Sequence, residues 1–292
     1  MSEHVHEAGP ESRPIRLKGA RGITLAADEW GDRDHQTVLL LHGGGQTRHS
    51  WKKAGRALSR YGLHVVTMDL RGHGDSDWSG TGDYGVGVCA DDVLRVLPQI
   101  GVPAVLVGAS LGGLTSLMVI DRAPELVRAL VLVDIVVRYQ PQGAARIREF
   151  MTSAPQGFAS LEQAADAVAA YLPHRPRPEA IHGLRKNLRW RDGRWHWHWD
   201  PAWFAPEVVA STTTTMHQLD EAARRVTVPT LLLHGEHSDV VNQEGVEHFR
   251  GLVPHAEVLE LADAAHTAAT DDNDGFVAAV VEMCRAHLDV AV

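Results

Sequence analysis

The sequence is poor in cysteine. Its 292 residues include two, Cys89 and Cys284, which stand far apart. Two cysteines in a chain of this length do not form a disulfide framework, and neither lies in the spacing of a zinc site. We therefore expect two free thiols and no bound metal.

Long hydrophobic runs are also missing. The longest apolar stretches are five to eight residues, whereas a membrane-spanning helix needs about 20. The N-terminal residues up to Pro14 are polar and show no secretory-signal pattern. From these absences we expect a cytoplasmic protein that does not enter a membrane, with residues 1–13 as a mobile tail.

The sequence also lacks an excess of positive charge. The chain has 28 Lys and Arg against 37 Asp and Glu, a formal net charge of −9. Nucleic-acid binding normally requires a basic stripe, so we expect no nucleic-acid partner and no anionic membrane surface. Hydrophobic residues at 44% and charged residues at 22% are typical of a soluble globular protein.

Strand and helix patterns alternate along most of the chain. Two short runs between Pro14 and Trp30 predict a β-hairpin, and Thr37–Leu41 is a nearly continuous apolar run typical of a strand buried on both faces. Alternating strands and helices predict right-handed crossovers. The predicted fold is α/β, with a mostly parallel eight-stranded sheet and helices on both faces.

The alternation stops between residues 137 and 226, here named the lid segment. It contains helical patterns and few buried strands, which predicts a mainly helical lid inserted after the sixth strand. The core would then be residues 14–136 and 227–292.

Tryptophans are concentrated in the lid segment. Aromatic and imidazole side chains alternate after Asp192-Gly193, a pattern that predicts a hairpin or an extended arm. The tryptophans either form the wall of a substrate pocket or pack the lid on the sheet. The candidate substrate-binding residues are Trp195, Trp197 and Trp199. His196 and His198 alternate with them, but no third metal ligand is evident.

The sharpest local motif is Gly108-Ala109-Ser110-Leu111-Gly112, which matches G-x-S-x-G. It lies between a predicted strand and a predicted helix, the strand-turn-helix context in which this motif presents a nucleophile. Small residues two before and two after Ser110 permit the tight turn, and the helix N-terminus favours negative charge. Ser110 is therefore the predicted nucleophile.

Serine needs a base, and the base needs an acid to orient it. His266 is the predicted base, because it follows the last predicted strand and precedes the last helix. Asp239, just past a strand end, is the favoured acid. Asp134, at the end of an earlier strand, and Glu236 are the alternatives.

An acyl-transfer site also needs donors for the developing oxyanion. The N–H of Leu111 follows the nucleophile and supplies one. The loop His42-Gly43-Gly44-Gly45 supplies the other, with Gly44 preferred and Gly45 as the alternative. His42 itself is predicted to brace this loop.

Taken together, these segments resemble the α/β-hydrolase family, in particular its lid-bearing serine hydrolases of the esterase and lactonase type. The resemblance runs from about Arg16 to His287 and includes Asp69-Leu70-Arg71-Gly72-His73-Gly74-Asp75-Ser76. It implies the chain order nucleophile, acid, base, which Ser110, Asp239 and His266 reproduce. It also implies cleavage of an ester or related acyl bond through an acyl-serine, without cofactor.

Several alternatives remain open. Relatives that act on epoxides or haloalkanes use an aspartate where this chain has Ser110. Lactonases, carbon–carbon bond hydrolases and perhydrolases are not separated by the motif. A non-catalytic small-molecule receptor or a lyase could also use this fold. If the tryptophans form a pocket wall, we expect a hydrophobic small-molecule substrate. The predicted site loops show no Lys or Arg cluster, which disfavours a multiply charged substrate. We expect a monomer or homodimer.

Overall fold

The computed structural model describes residues 11–173, 177, 181–210, 212–262 and 273–288, apart from a few side chains. Its main feature is an eight-stranded sheet in the order β1-β2-β4-β3-β5-β6-β9-β10. The strands of this sheet are β1 (Arg13–Lys18), β2 (Thr24–Trp30), β3 (Thr37–Leu41), β4 (His64–Met68), β5 (Ala104–Ala109), β6 (Val127–Val133), β9 (Thr230–Gly235) and β10 (Glu257–Leu261).

Strands β1 and β2 pair antiparallel, as do β2 and β4, and the other neighbours pair parallel. The prediction of a mostly parallel eight-stranded sheet is therefore confirmed. Arg13 already belongs to β1 and pairs with Glu29, so the predicted tail is shorter by this residue. Residues 1–10 lie outside the described part of the chain.

Nine helices accompany the sheet in the described residues. They are α1 (Lys52–Ser59), α2 (Val86–Ile100), α3 (Leu111–Arg122), α4 (Pro141–Thr152), α5 (Leu161–Tyr171), α6 (Pro206–Ala210), α7 (Thr212–Arg224), α8 (Gln243–Leu252) and α9 (Asn273–His287). Within the described residues, none of these helices combines the length and the hydrophobicity that crossing a bilayer requires.

Both faces of the sheet are buried, which explains the continuous apolar run of β3. Leu39 and Leu41 belong to the core on one face, and Val38 and Leu40 belong to the core on the other. Successive side chains of a strand point to opposite faces, so a doubly covered strand must be apolar throughout. Helices α2, α3, α7 and α8 contribute to the first core, and α1 and α9 contribute to the second.

The lid segment begins after β6, the sixth strand. It contains a small hairpin of β7 (Leu188–Arg191) and β8 (Arg194–Trp197), whose antiparallel pairing confirms the predicted turn. Helices α4 and α5 and this hairpin share a separate apolar cluster. Helix α7 differs, because its Leu219, Ala222 and Ala223 are part of the main core. The part with its own core is therefore shorter than the predicted lid, and the lid boundaries remain a prediction.

Candidate active site

Ser110 lies between β5 and α3, where the backbone makes a tight turn. Its φ of 46° and ψ of −113° place it in a left-handed conformation that non-glycine residues rarely adopt. Such conformations persist where the surroundings enforce them, and they are concentrated at functional sites. The predicted nucleophile therefore has the backbone geometry of its motif.

Two glycines make this turn possible. A Cβ on Gly108 would lie 2.4 Å from the carbonyl carbon and oxygen of Gly112, and a Cβ on Gly112 would lie 2.4 Å from the carbonyl oxygen of Leu41. These are backbone atoms that cannot move aside. Helix α3 therefore packs directly on β3 and β5 and brings its N-terminus to Ser110.

The backbone around Ser110 offers two hydrogen-bond donors. In the predicted oxyanion loop (residues 42–46, called the oxyanion loop below), the Gly43 N–H donates to Oε1 of Gln46 at 3.1 Å, and the Gly45 N–H donates to Nε2 of His73 at 3.1 Å. The Gly44 N–H has no acceptor among the described residues. The Leu111 N–H opens α3 and has no acceptor within the helix. Gly44 and Leu111 are the predicted pair, and both line the same cavity as Ser110.

Three buried histidines hold the oxyanion loop. His42 donates from Nδ1 to the carbonyl of Gly43 at 2.8 Å and accepts the Leu70 N–H at Nε2 at 3.0 Å. His198 of the lid segment accepts the Gly74 N–H at 2.7 Å and contacts the carbonyl of Gly45 with Nε2 at 3.3 Å.

His73 is the third of these histidines and lies between the other two. It contacts the carbonyl of Arg71 with Nδ1 at 3.1 Å, and its ring centroid lies 5.1 Å from that of His42 and 5.8 Å from that of His198. The oxyanion loop is thus tied both to the core and to the lid segment.

These histidines are neutral. Burial, the largest cause, lowers the pKa of His42 to about 4 and the pKa of His73 to about 3. Burial also lowers the pKa of His198, as does its proximity to His73. Each ring then has one donor and one acceptor nitrogen, which is what its two backbone partners require.

The two candidate acids occupy different environments. Asp134 follows β6 and is fully buried. Its Oδ1 accepts the Gly235 N–H at 2.9 Å, and its Oδ2 accepts the Ser238 hydroxyl at 2.6 Å. Its φ of 48° is also left-handed. Two donors thus fix this carboxylate at the end of the strand next to Ser110.

Asp239, in contrast, is exposed to solvent. Its Oδ2 forms an ion pair at 2.7 Å with Nη2 of Arg146 on α4, and both side chains are about two-fifths exposed. The same guanidinium lies 5.1 Å from the ring centroid of Tyr171 on α5. Asp239 therefore connects the core to the lid segment. Glu236 is exposed, and His266 lies outside the described residues.

A cavity of about 820 Å³ opens beside Ser110. Its walls come from the oxyanion loop, the start of α3 and the lid segment. Most of its lid-side lining is apolar, including Ile147, Met151, Val168, Phe204 and Val209. This volume and lining suit a small hydrophobic ligand.

The predicted tryptophans divide between two positions. Trp197 and Trp199 line the cavity and stack on each other, with ring centroids 4.9 Å apart. Trp195 is not among the lining residues and instead packs against Trp190 at 5.0 Å. Trp203 lines the cavity as well. Trp197 and Trp199 also belong to the apolar cluster of the lid segment, so each ring both lines the cavity and packs inside the lid segment.

The alpha/beta hydrolase fold family matches residues 36–272. The chain belongs to this family. It is 27% identical to esterase Rv0045c of Mycobacterium tuberculosis over 99% of this chain and 94% of that one. It is 28% identical to the sn-1-specific diacylglycerol lipase ABHD11 of Mus musculus over 86% of this chain and 81% of that one.

Solved structures of alpha/beta hydrolases are also similar to this chain. The structure of the esterase Rv0045c matches with a TM-score of 0.73 and 26% identity, covering 97% of this chain and 93% of that one. The structure of E-2-(acetamidomethylene)succinate hydrolase matches with a TM-score of 0.80 at 23% identity, covering 94% and 100%, which shows the fold alone. The predicted resemblance is confirmed, and this alpha/beta hydrolase is an enzyme of the hydrolase class.

Sequence reasoning did not assign roles to His73 and His198. In the sequence, His73 belongs to one of the segments that carry the family resemblance, and His198 stands out only as a potential metal ligand. Both nitrogens of His198 lie within hydrogen-bond distance of backbone groups. Nothing local in the sequence pairs it with Gly45, since the two residues are 153 positions apart in the chain.

Proposed function

We propose that this alpha/beta hydrolase cleaves carboxylic esters of hydrophobic small molecules through an acyl intermediate on Ser110. The supporting observation is the position of Ser110. It has a left-handed backbone at the start of α3, and Gly44 and Leu111 line the same cavity. The similarity to proteins named as esterases and a lipase supports the same chemistry.

The proposed reaction has two steps. The Ser110 oxygen forms a bond to the acyl carbon as His266 takes the hydroxyl proton, and the Gly44 and Leu111 N–H groups hold the oxyanion. Collapse breaks the ester bond, and His266 returns the proton to the leaving alcohol. Water activated by His266 then attacks the acyl-serine and releases the acid and free Ser110.

The acid in this proposal is Asp134, in place of Asp239. A carboxylate that orients a histidine works best when it is buried and held in one position. Asp134 meets both conditions, with two fixed donors and no exposed surface. Asp239 is exposed and paired with Arg146. Both residues precede His266 in the chain, so the family's chain order permits either.

Replacement of the nucleophile tests the proposed function. The Ser110→Ala variant should lose at least about a thousandfold in kcat for p-nitrophenyl butyrate, given the usual cost of removing such a nucleophile. A fluorophosphonate probe should label the unmodified protein and not this variant. Ser50→Ala is the matched control, because Ser50 lines the same cavity and its loss should leave the labelling in place. Full activity of Ser110→Ala, or labelling of it, would refute the proposal.

A further inference from the structure

Lysine is rare in this chain and concentrated at one place. The sequence has four lysines, Lys18, Lys52, Lys53 and Lys186. Three of them, all but Lys18, line the cavity beside Ser110. Lys52 and Lys53 open α1, whereas Lys186 belongs to the lid segment. The lysines therefore approach the cavity from both of its sides.

These three lysines lie at the mouth of the cavity. Each is an exposed residue although it lines the cavity, so these residues lie where the cavity meets solvent. Within the described ranges, none of them forms an ion pair. Two arginines of the lid segment, in contrast, form ion pairs: Arg146 pairs with Asp239, and Arg189 pairs with Asp75.

The charge of the lining has one sign. Its charged members are the three lysines and Arg148 on α4, whereas the lining histidine His73 is neutral. No aspartate or glutamate among the described residues lines the cavity, although the whole chain carries a net charge of −9. A basic mouth on an acidic protein concentrates anions at that mouth.

Two further observations connect these charges. The pKa of His49 is lowered by burial first, then by Arg48, and Lys186 of the lid segment adds to this effect. Lys186 and His49 also line the same cavity. In addition, Lys52 and Lys53 occupy the first turn of α1, which has no acidic residue. Cations are unfavourable at a helix N-terminus, so helix stability does not account for them.

We propose that the substrate carries an anionic group, most simply a carboxylate, at the end that faces the cavity mouth. The scissile ester lies at Ser110, the apolar body fills the cavity, and the anionic group meets Lys52, Lys53 and Lys186. This inference rests on the proposed ester hydrolysis and names its substrate class. It adds one charged end to the hydrophobic substrate expected from the sequence, where the predicted site loops showed no lysine cluster because Lys186 lies far along the chain from Lys52 and Lys53.

The first experiment compares matched esters. On the acyl side, the pair is p-nitrophenyl hexanoate and p-nitrophenyl hydrogen adipate, which have equal chain length and differ in the terminal carboxylate. On the alcohol side, the pair is phenyl acetate and 3-acetoxybenzoate, with each rate divided by its spontaneous rate. In at least one pair the anionic ester should have a kcat/KM about tenfold higher at low salt. This preference should shrink at about 1 M NaCl, where the Debye length is about 3 Å.

Lysine variants form the second experiment. The Lys52→Gln, Lys53→Gln and Lys186→Gln triple variant should lose most of the preference for the anionic ester. Lys18→Gln is the matched control, since Lys18 lies on β1 and does not line the cavity, and it should keep the preference.

Different results would refute the proposed ester hydrolysis and the proposed anionic substrate. Turnover of none of the four esters would refute ester hydrolysis. Turnover without anion preference in both pairs, or a preference that the triple variant retains, would overturn the anionic substrate alone.

Discussion

Ser110 and Asp134 lie side by side at the carboxyl ends of two adjoining parallel strands. Ala109 of β5 is in register with Val133 of β6, and the Ser110 N–H donates to the Val133 carbonyl at 3.3 Å. Both residues have left-handed backbones, with φ of 46° and 48°. Each of the two strands is thus followed by a residue with a strained backbone. Ser110 carries a hydroxyl after β5, and Asp134 carries a carboxylate after β6.

The first prediction separates the two acids. Asp134→Asn should lower kcat about a thousandfold or more at pH 7, because an amide can hold the base in the wrong tautomer and cannot stabilise its cation. Asp239→Asn should lower kcat less than about tenfold, since it removes a half-exposed ion pair with Arg146. Steady-state kinetics with p-nitrophenyl butyrate measures both.

The pH profile of the Asp134→Asn variant distinguishes orientation of the base from a fold defect. Without the carboxylate the apparent pKa of the base should fall, so the acid limb of kcat/KM should move to lower pH. A loss of kcat with an unchanged acid limb would indicate a purely structural role. A larger loss in Asp239→Asn than in Asp134→Asn would reverse our assignment.

Gly108→Ala tests the tight turn. Its Cβ would lie 2.4 Å from backbone atoms of Gly112 and Gly113, so α3 would have to move away from β5. We expect an unfolding free energy lower by about 3 kcal/mol, as for severe overpacking, and loss of ester turnover. Gly251→Ala is the control, because nothing lies within 4 Å of its added methyl group. Equal denaturant midpoints for the two variants would contradict this packing.

His198→Ala tests the link between the lid segment and the oxyanion loop. It removes the partner of the Gly74 N–H and of the Gly45 carbonyl. The loop that carries Gly44 should loosen, and kcat should fall about tenfold, a fraction of the effect of losing a whole oxyanion donor. His196→Ala is the neighbouring control and should change kcat less than twofold. If His198→Ala kept full kcat, the loop would not depend on this contact.

Acid should destabilise the protein through its buried histidines. In the unfolded chain a histidine binds its proton near pH 6.5, whereas the pKa values of His42 and His73 in the folded protein are about 4 and about 3. Between these values the unfolded state binds more protons, so stability is full above pH 6.5 and falls as pH falls. The slope should be about 1.4 kcal/mol per pH unit for each histidine.

Urea unfolding from pH 7 to pH 4.5 measures this slope. His73→Gln keeps one donor and one acceptor but does not titrate, so its stability should depend less on pH than that of the unmodified protein. An equally steep dependence in the variant would assign the acid sensitivity to other groups.

The sequence was sufficient for those features that depend on local patterns. The apolar run Thr37–Leu41 predicted a strand with the observed bounds, because burial on both faces leaves no polar position. Gly108-Ala109-Ser110-Leu111-Gly112 predicted the turn, because its geometry requires small residues at fixed spacing. The hairpin that turns at Asp192-Gly193 was one of the two structures that this dipeptide and the alternation after it predicted.

Features that depend on packing between distant segments were not predictable. Asp134 and Asp239 both follow strand ends, and only side-chain contacts separate a carboxylate fixed by Gly235 and Ser238 from one paired with Arg146. The lysines at the cavity mouth were missed because Lys186 is far along the chain from Lys52 and Lys53. Their common position follows from how the lid segment packs on the core.

The tryptophans that line the cavity allow ligand binding to be followed by the intrinsic fluorescence of the enzyme. Trp197, Trp199 and Trp203 line the cavity and are three of the eight tryptophans in the chain. A ligand that enters displaces water from these indole rings, so intrinsic fluorescence should change in intensity and wavelength on occupancy. With the inactive Ser110→Ala variant, this signal reports the affinity for an intact ester, neutral or anionic, with no dye and no turnover.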